Sequence, residues 1–200
     1  MNQIDSAFTS PASPGPGRRW RAGRVFAWPL GVFVCAALAA TPAAQAAQTA
    51  KAAVAQAAPA AAKWQPDAVL THVSTLRGQG DGRAASWLCS YYSPRAKRSA
   101  IVTVRDGGKV ELEADVRTTS VDAIGKDFVD SDQAVAAAAK AGLKFDKGAG
   151  DLGLGLAVGN QALGKPRLFW SVSVMGDKGS SSITLDAKDA AFVKRDDVKF

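Results

Sequence analysis

The sequence predicts an α+β protein made of two tandem units, each a helix packed on an antiparallel sheet, that follow a cleaved signal peptide and a flexible alanine-rich linker. Two observations lead to this prediction. Residues 64–117 and 130–200 each contain a helical pattern followed by short runs of alternating polarity, which are typical of strands. Aligning Trp87 with Trp170 also brings the two halves into step at a spacing of about 82 residues, which we interpret as a degenerate tandem repeat.

The first 46 residues have the three-part layout of a secretory signal peptide. A basic segment with four arginines precedes the apolar run 25–40, and the small residues Ala44 and Ala46 stand where a signal peptidase cleaves. The apolar run has about 16 residues, whereas a bilayer span needs about 20. We therefore expect cleavage after about Ala46, no stable membrane span afterwards, and a periplasmic or secreted protein.

Charge and cysteine content narrow the class of function. The net charge is +7 for the whole chain and +4 after removal of the four arginines and one aspartate of the signal peptide, so no nucleic-acid partner is required. Paired Arg18 and Arg19 leave a twin-Arg export route open beside the general route, which we favour. Val34 before Cys35 argues against lipidation. Cys89 has no partner for an intramolecular disulfide; it could pair with another chain, but we predict a small buried hydrophobe.

The first unit follows residues 47–63, which are low-complexity alanine interrupted by Pro59. They show no apolar stripe, so we predict a flexible linker rather than a docked helix. A helix is predicted over 66–76, where apolar residues recur at helical spacing before Gly78. Three strands follow, over 86–92, 100–105 and 109–117, with a hairpin turn at 106–108.

The second unit opens with a helix over 130–141. Asp130 is a suitable N-cap, Gln133 completes a capping box, and Gly142 ends the helix. Four strands are predicted after this helix, over 152–158, 167–175, 180–186 and 191–195.

Residues 148–153 spell G-x-G-x-x-G, the string of a dinucleotide-binding turn. Such a turn follows a strand and opens a helix, whereas this string follows a helix and enters a strand, so we predict no nucleotide site. The candidate partner-binding residues of the strand are Leu152, Gly153, Leu154, Gly155 and Leu156. Because the glycine face is bare, either an element of the same fold packs closely on it, or the strand is an open edge that accepts a partner's strand along 151–159. The competing outcome is that the two repeats join edge to edge into one continuous sheet, which would pair this strand inside the fold.

Titratable residues give no pattern typical of catalysis. His72 is the only histidine, and on the predicted helix Ser74 would point to a different face. A group of acids in the strand 109–117 alternates with apolar residues, which predicts a solvated strand face; its members are Glu111, Glu113 and Asp115. We therefore expect no catalytic residue, no cofactor and no metal, and interpret the protein as not an enzyme.

The turn at 93–99 is the candidate anion-binding feature. Arg95, Lys97 and Arg98 place three cations there without an acid. They would contact an anionic polymer, lipid headgroups or an acidic protein groove, or else form an ordinary solvated turn.

The second half resembles a PepSY-type domain over about residues 130–196. The resemblance rests on DSDQAVAAAAKAG, DLGLGLAVG, RLFWSVSVM and SSITLDAKDAAFV, and it departs from the family at Ala190, where glycine is usual. Residues 64–117 resemble a shorter copy. The resemblance implies a helix packed on an antiparallel sheet in an exported, non-enzymatic module, often associated with peptidase propeptides or proposed to restrain peptidases.

Two classes of function follow as expectations. The first is an exported, non-catalytic protein-interaction module that restrains or chaperones a peptidase or another envelope protein. The alternative is an envelope module that binds an anionic polymer or a lipid headgroup through the basic hairpin.

Overall fold

The computed structural model describes residues 47–117, 120–145, 151–159 and 166–200. The predicted signal peptide, with its cleavage site and Cys35, lies outside the described residues, as does the first half of the G-x-G-x-x-G string. Cleavage and export therefore stay predictions.

The described residues form two helices and eight strands. In the first half of the chain these are α1 (Ala50–Trp64), β1 (Val69–Gly78), β2 (Ser86–Ser93), β3 (Arg98–Arg105) and β4 (Val110–Ala114). In the second half they are α2 (Ser131–Lys140), β5 (Leu152–Gly159), β6 (Arg167–Gly176), β7 (Gly179–Asp186) and β8 (Phe192–Lys199). The strands predicted at β2, β3, β6 and β7 are confirmed.

All eight strands belong to one antiparallel sheet, in the order β4-β3-β2-β1-β5-β6-β7-β8. Two meanders join where β1 pairs with β5, for example through Val73 with Leu156 and Ser74 with Gly155. The prediction of two tandem helix-plus-sheet units is therefore wrong. The physical reason is that the first strand of each meander has only one neighbour within its own half, and pairing the two satisfies the backbone groups of both.

The helix predicted over 66–76 is also wrong, because this segment is strand β1. Its buried positions alternate, at Thr71, Val73 and Thr75, which is the period of a strand. Two of these three side chains are threonines, so a pattern of apolar residues alone misses the alternation. β-Branched side chains favour strands over helices, which agrees with the structure.

Residues 47–63 are not a flexible linker, because most of them form α1. Ala50, Ala53, Ala57 and Ala61 are buried in the core at helical spacing, and the helix packs on β1 to β4. Since every face of the segment is rich in alanine, the buried stripe cannot be distinguished in the sequence. Pro59 lies on the exposed side of the helix, which continues past it to Trp64.

The N-termini of the two helices meet through Asp130 and Ser131. The Asp130 carboxylate accepts hydrogen bonds from the Ser131 amide at 2.8 Å and from the Lys51 amide of α1 at 2.9 Å. The Ala50 amide donates to the Ser131 hydroxyl at 3.0 Å, and the predicted capping box with Gln133 is confirmed. One carboxylate thus stabilises the positive ends of two helix dipoles.

Trp87 and Trp170 are fully buried between the sheet and the helices. The indole N–H of Trp87 donates to the Gln48 carbonyl at 2.8 Å, and that of Trp170 donates to the Val129 carbonyl at 2.9 Å. Each acceptor lies two residues before a helix begins. Phe128 packs edge-on against Trp170, with ring centroids 6.4 Å apart. Each indole therefore ties the entrance of one helix to the sheet.

Strands β4 and β8 form the two edges of the sheet. Val110 and Leu112 of β4 are predicted to face the core, and they lie on the same side of the sheet as buried Val104 and Val102. They nevertheless stay 36% and 37% exposed, because no described strand continues the sheet beyond β4. Charged side chains occupy both edges, including residues 194–197 of β8. Charges of this kind disfavour addition of a further strand.

We expect Trp87→Ala or Trp170→Ala to lower the free energy of unfolding by about 3–5 kcal/mol, because each removes a fully buried ring and its indole hydrogen bond to a backbone carbonyl. Urea denaturation of each variant measures this loss. Trp64→Ala, at a half-buried position, is the matched control and should cost less. A loss below about 1 kcal/mol for Trp87→Ala or Trp170→Ala would contradict the assignment of the indoles to the core.

Candidate functional site

The predicted edge strand lies in the centre of the sheet. Strand β5 pairs with β1 on one side and with β6 on the other, and Leu152, Leu154 and Leu156 are buried beneath the helix layer. Docking of a partner strand along 151–159 is therefore contradicted, because the backbone groups it would use already form the two ladders. The structure instead shows the competing outcome, in which the two halves join edge to edge into one sheet and β5 is paired on both sides.

The glycines of β5 face away from the helices. Gly155 pairs with Ser74 and with Ser171, and a side chain added at Gly155 would meet only the His72 Nε2 atom, at 3.7 Å. No described helix packs on this side of β5, so the glycines form part of an accessible surface. We call the side of the sheet opposite the helices the open face.

Two rows of paired residues define the open face. The first row crosses all eight strands and consists of Glu111, Thr103, Leu88, Ser74, Gly155, Ser171, Thr184 and Lys194. The second row crosses seven strands and consists of Glu113, Ile101, Ser90, His72, Ala157, Phe169 and Asp186. Between their ends, both rows carry small, hydroxyl-bearing or apolar residues, apart from His72 in the second row.

The open face is uncharged at its centre and charged at its ends. Leu88 on β2 is 38% exposed and Met175, near the end of β6, is 73% exposed, so apolar groups of the open face reach solvent. The sequence analysis missed this surface, because its rows depend on the register between strands distant in the chain. The sequence signal that could have revealed the open face is a series of serines that alternate with buried residues along β6 and β7, for example Ser171 and Ser173.

His72 lies on the open face rather than on a helix. Burial lowers the pKa of its imidazole below the ordinary value of 6.5, so the side chain is neutral at pH 7. Neither Ser74 nor Ser90, its strand neighbours on this face, is hydrogen-bonded to it. Asp67, the nearest acid before His72 in the chain, accepts a hydrogen bond from the Ser93 hydroxyl at 2.8 Å rather than from the imidazole. His72 therefore does not form a hydrogen-bonded pair of nucleophile and general base with Ser74 or Ser90.

The acids of the β4 region are paired with cations. Glu111 contacts Lys109 at 2.6 Å and Arg105 at 3.4 Å, and the Lys109 ammonium is the main reason why its pKa is lowered. Asp115 forms a two-point ion pair with Arg98. Within the described ranges, no group of three His, Cys, Asp or Glu side chains has an arrangement that could hold a metal ion.

The basic hairpin is less cationic than its sequence indicates. Arg98 is neutralised by Asp115, whereas Arg95 and Lys97 are exposed and form no ion pair with another described residue. Asp67 lies beneath the turn, accepts from the Arg95 amide at 2.9 Å, and has its pKa lowered chiefly by that hydrogen bond. The candidate anion contacts therefore do not form one concentrated cationic site.

Comparisons with other proteins leave the resemblance of the second half untested. No protein-family model, curated protein or solved structure matches the chain. Neither described helix has the length and apolar composition that crossing a bilayer requires. The case for a function rests on the geometry of the described residues.

We expect Gly155→Pro to destabilise the protein by about 3 kcal/mol or more, because proline removes an amide donor from a strand that is paired on both sides and adds a ring that disturbs the ladder. Thermal denaturation compares it with Gly155→Ala, whose methyl group meets only His72. The alanine variant should melt close to the native protein. If Gly155→Pro also melted like the native protein, the central position of β5 would be wrong.

We also expect Cys89 to resist alkylation in the folded protein. Its side chain is fully buried, as the sequence predicted, and burial raises the pKa of the thiol to about 12, so the reactive thiolate is scarce. Iodoacetamide labelling followed by mass spectrometry should modify Cys89 in urea but not in native buffer. Equal labelling in both conditions would show that the thiol is accessible.

Proposed function

We propose that the chain is an exported, non-catalytic protein-interaction module whose open face binds a folded envelope protein. The observation that carries this proposal is the continuous surface, uncharged at its centre, that crosses the paired strands of both meanders. Export rests on the signal-peptide pattern of residues 1–46. A peptidase that the module restrains or chaperones is proposed as the partner because residues 130–196 resemble a PepSY-type domain.

The size of the open face supports a protein partner. Strands about 4.8 Å apart that rise about 3.3 Å per residue give eight strands a face of very roughly 35 by 25 Å. This area is close to the roughly 800 Å² that each partner contributes to a standard protein interface. A small ligand would contact only a fraction of so large a face, whereas small-molecule sites are concave pockets.

The composition of the open face supports the same class of partner. Protein interfaces deplete charge at their centres and keep charged groups at their rims, and the first row has Glu111 at one end and Lys194 at the other. Gly155 and Ser171 lie in the middle. Because Gly155 has no side chain and Ser171 has a short one, a partner can approach the sheet closely there. Both end charges are already paired within the fold, Glu111 with Lys109 and Lys194 with Asp196 at 2.7 Å, so the rim is polar without a strong net charge.

The anionic-polymer alternative has weaker support. Arg98 is already paired with Asp115, and Arg95 interacts with the Asp67 carboxylate, whose pKa it helps to lower. Arg95 and Lys97 are the cations of the turn that form no ion pair with a described residue. Two exposed cations give a weak contact that salt screens readily.

The test compares Ser171→Arg, which places a long cation at the centre of the open face, with Ala52→Arg, which adds the same charge on the exposed side of α1. An envelope protein captured by the native protein is purified, and its dissociation constant is measured by calorimetry for all three forms. Ser171→Arg should weaken binding by about 30-fold or more, because it would bury an unpaired charge.

Ala52→Arg should bind like the native protein, and both variants should keep the native melting temperature. Equal affinity of Ser171→Arg and the native protein would overturn the assignment to the open face. A further variant, Lys97→Glu, distinguishes binding through the open face from binding through the basic hairpin. Only binding through the hairpin would weaken in this variant and would fall steeply with added salt.

A further inference from the structure

A cleft on the helix side of the sheet has the features of a second binding site, and it does not depend on the proposed function of the open face. Its cavity of about 580 Å³ lies between α1, the start of β1 and residues 123–128 of the segment that leads to α2. Cavities of this volume are in the range that holds small ligands. The lining is predominantly apolar, with Leu70, Ile124 and Phe128 among its members.

The cleft exists because α1 presents small side chains to it. Lys51, Val54, Ala55 and Ala58 follow one another at the spacing of a single helix face, next to the stripe that is buried in the core. The methyl groups of Ala55 and Ala58 are too short to reach the opposite wall. That wall is held in place by a hydrogen bond from the Ile124 amide to the Leu70 carbonyl at 2.7 Å.

Tyr91 lines the cleft and carries a buried polar atom without a partner. The side chain is 4% exposed, and its hydroxyl makes no hydrogen bond with another described residue. Such atoms are rare in native proteins because an unsatisfied hydroxyl is costly to bury. Burial also raises the pKa of Tyr91, with a smaller contribution from Cys89, so the hydroxyl keeps its proton and is a donor.

Two lysines give the cleft a positive charge. Lys51 and Lys126 line it, both are exposed, and neither forms an ion pair with another described residue. The Lys51 ammonium lies 5.2 Å from the centroid of the Phe128 ring. No described lining residue is acidic. Apolar walls that carry unpaired cations complement a ligand that is apolar along its length and anionic at one end.

We propose that this cleft binds a free long-chain carboxylate, with the alkyl chain between α1 and residues 123–128 and the carboxylate at Lys51 and Lys126. The Tyr91 hydroxyl donates a hydrogen bond to an oxygen of the head group. This places the ligand on the opposite side of the sheet from the open face.

The test measures binding of octanoate, decanoate and dodecanoate to the purified protein by calorimetry, below the concentrations at which they form micelles. Each added methylene should tighten binding about fourfold until the cleft is full, because each buries further apolar surface. Dodecanol, which lacks the charge, should bind about tenfold more weakly than dodecanoate. Affinity that does not depend on chain length would overturn the proposal.

Variants locate the site. Ala58→Trp fills the cleft and should abolish dodecanoate binding, whereas Ala52→Trp, on the exposed side of the same helix away from the cleft, should leave it unchanged. Ala55→Leu fills less space and should weaken binding, so the result does not rest on one variant. Thermal melts check that each variant folds. Equal binding by Ala58→Trp and Ala52→Trp would overturn the proposal.

Head-group variants test the polar contacts. Lys51→Met with Lys126→Met should weaken dodecanoate binding about tenfold and leave dodecanol binding unchanged. Tyr91→Phe should weaken dodecanoate binding about fivefold without lowering the melting temperature, because the hydroxyl has no partner to lose. A different result would contradict the cleft site and assign the lysines to a membrane surface. In that case the protein would not bind free dodecanoate, and it would bind phosphatidylglycerol vesicles equally well with and without Ala58→Trp. Ser171→Arg should leave dodecanoate binding intact even if it abolishes protein binding.

Discussion

The ladder between β1 and β5 is the interaction on which the rest of the structure depends. It joins two meanders into one sheet, and it pairs buried Val73 with buried Leu156 so that both halves share one hydrophobic cluster. Without this ladder each half would expose the backbone groups of its first strand and would bury less apolar surface, which small domains can rarely accommodate. The same ladder aligns the rows of the open face across the join.

The sheet has two different sides because residue size differs between its faces. On the helix side, alanines let α1 lie close to the strands, and the entrances of both helices are fastened by Trp87, Trp170 and the shared Asp130 carboxylate. On the open face, glycine and serine leave a surface rich in backbone atoms that no described helix covers. Burial is thus concentrated on one side, and the other side is available for contact.

The two proposed sites use these sides independently. The cleft is concave, apolar and positively charged at Lys51 and Lys126, which fits a small amphiphile. The open face is broad and uncharged at its centre, which fits a folded protein. Their structural origins also differ. The cleft depends on the volume between α1 and the segment that precedes α2, whereas the open face depends on the register of the strands.

The sequence by itself determined the features that depend on local pattern. Strands β2 and β6, the capping box at Asp130 and the burial of Trp87 and Cys89 could be predicted, because alternation and helix capping are encoded within a few residues. Only the tertiary structure decided the rest. The alanines of α1 are buried because the sheet offers a surface, and β5 is central because β1, about 80 residues earlier in the chain, supplies its second neighbour. Contacts between residues so far apart in the chain leave no periodic signal, and for this reason neither the open face nor the cleft at Tyr91 was visible in the sequence.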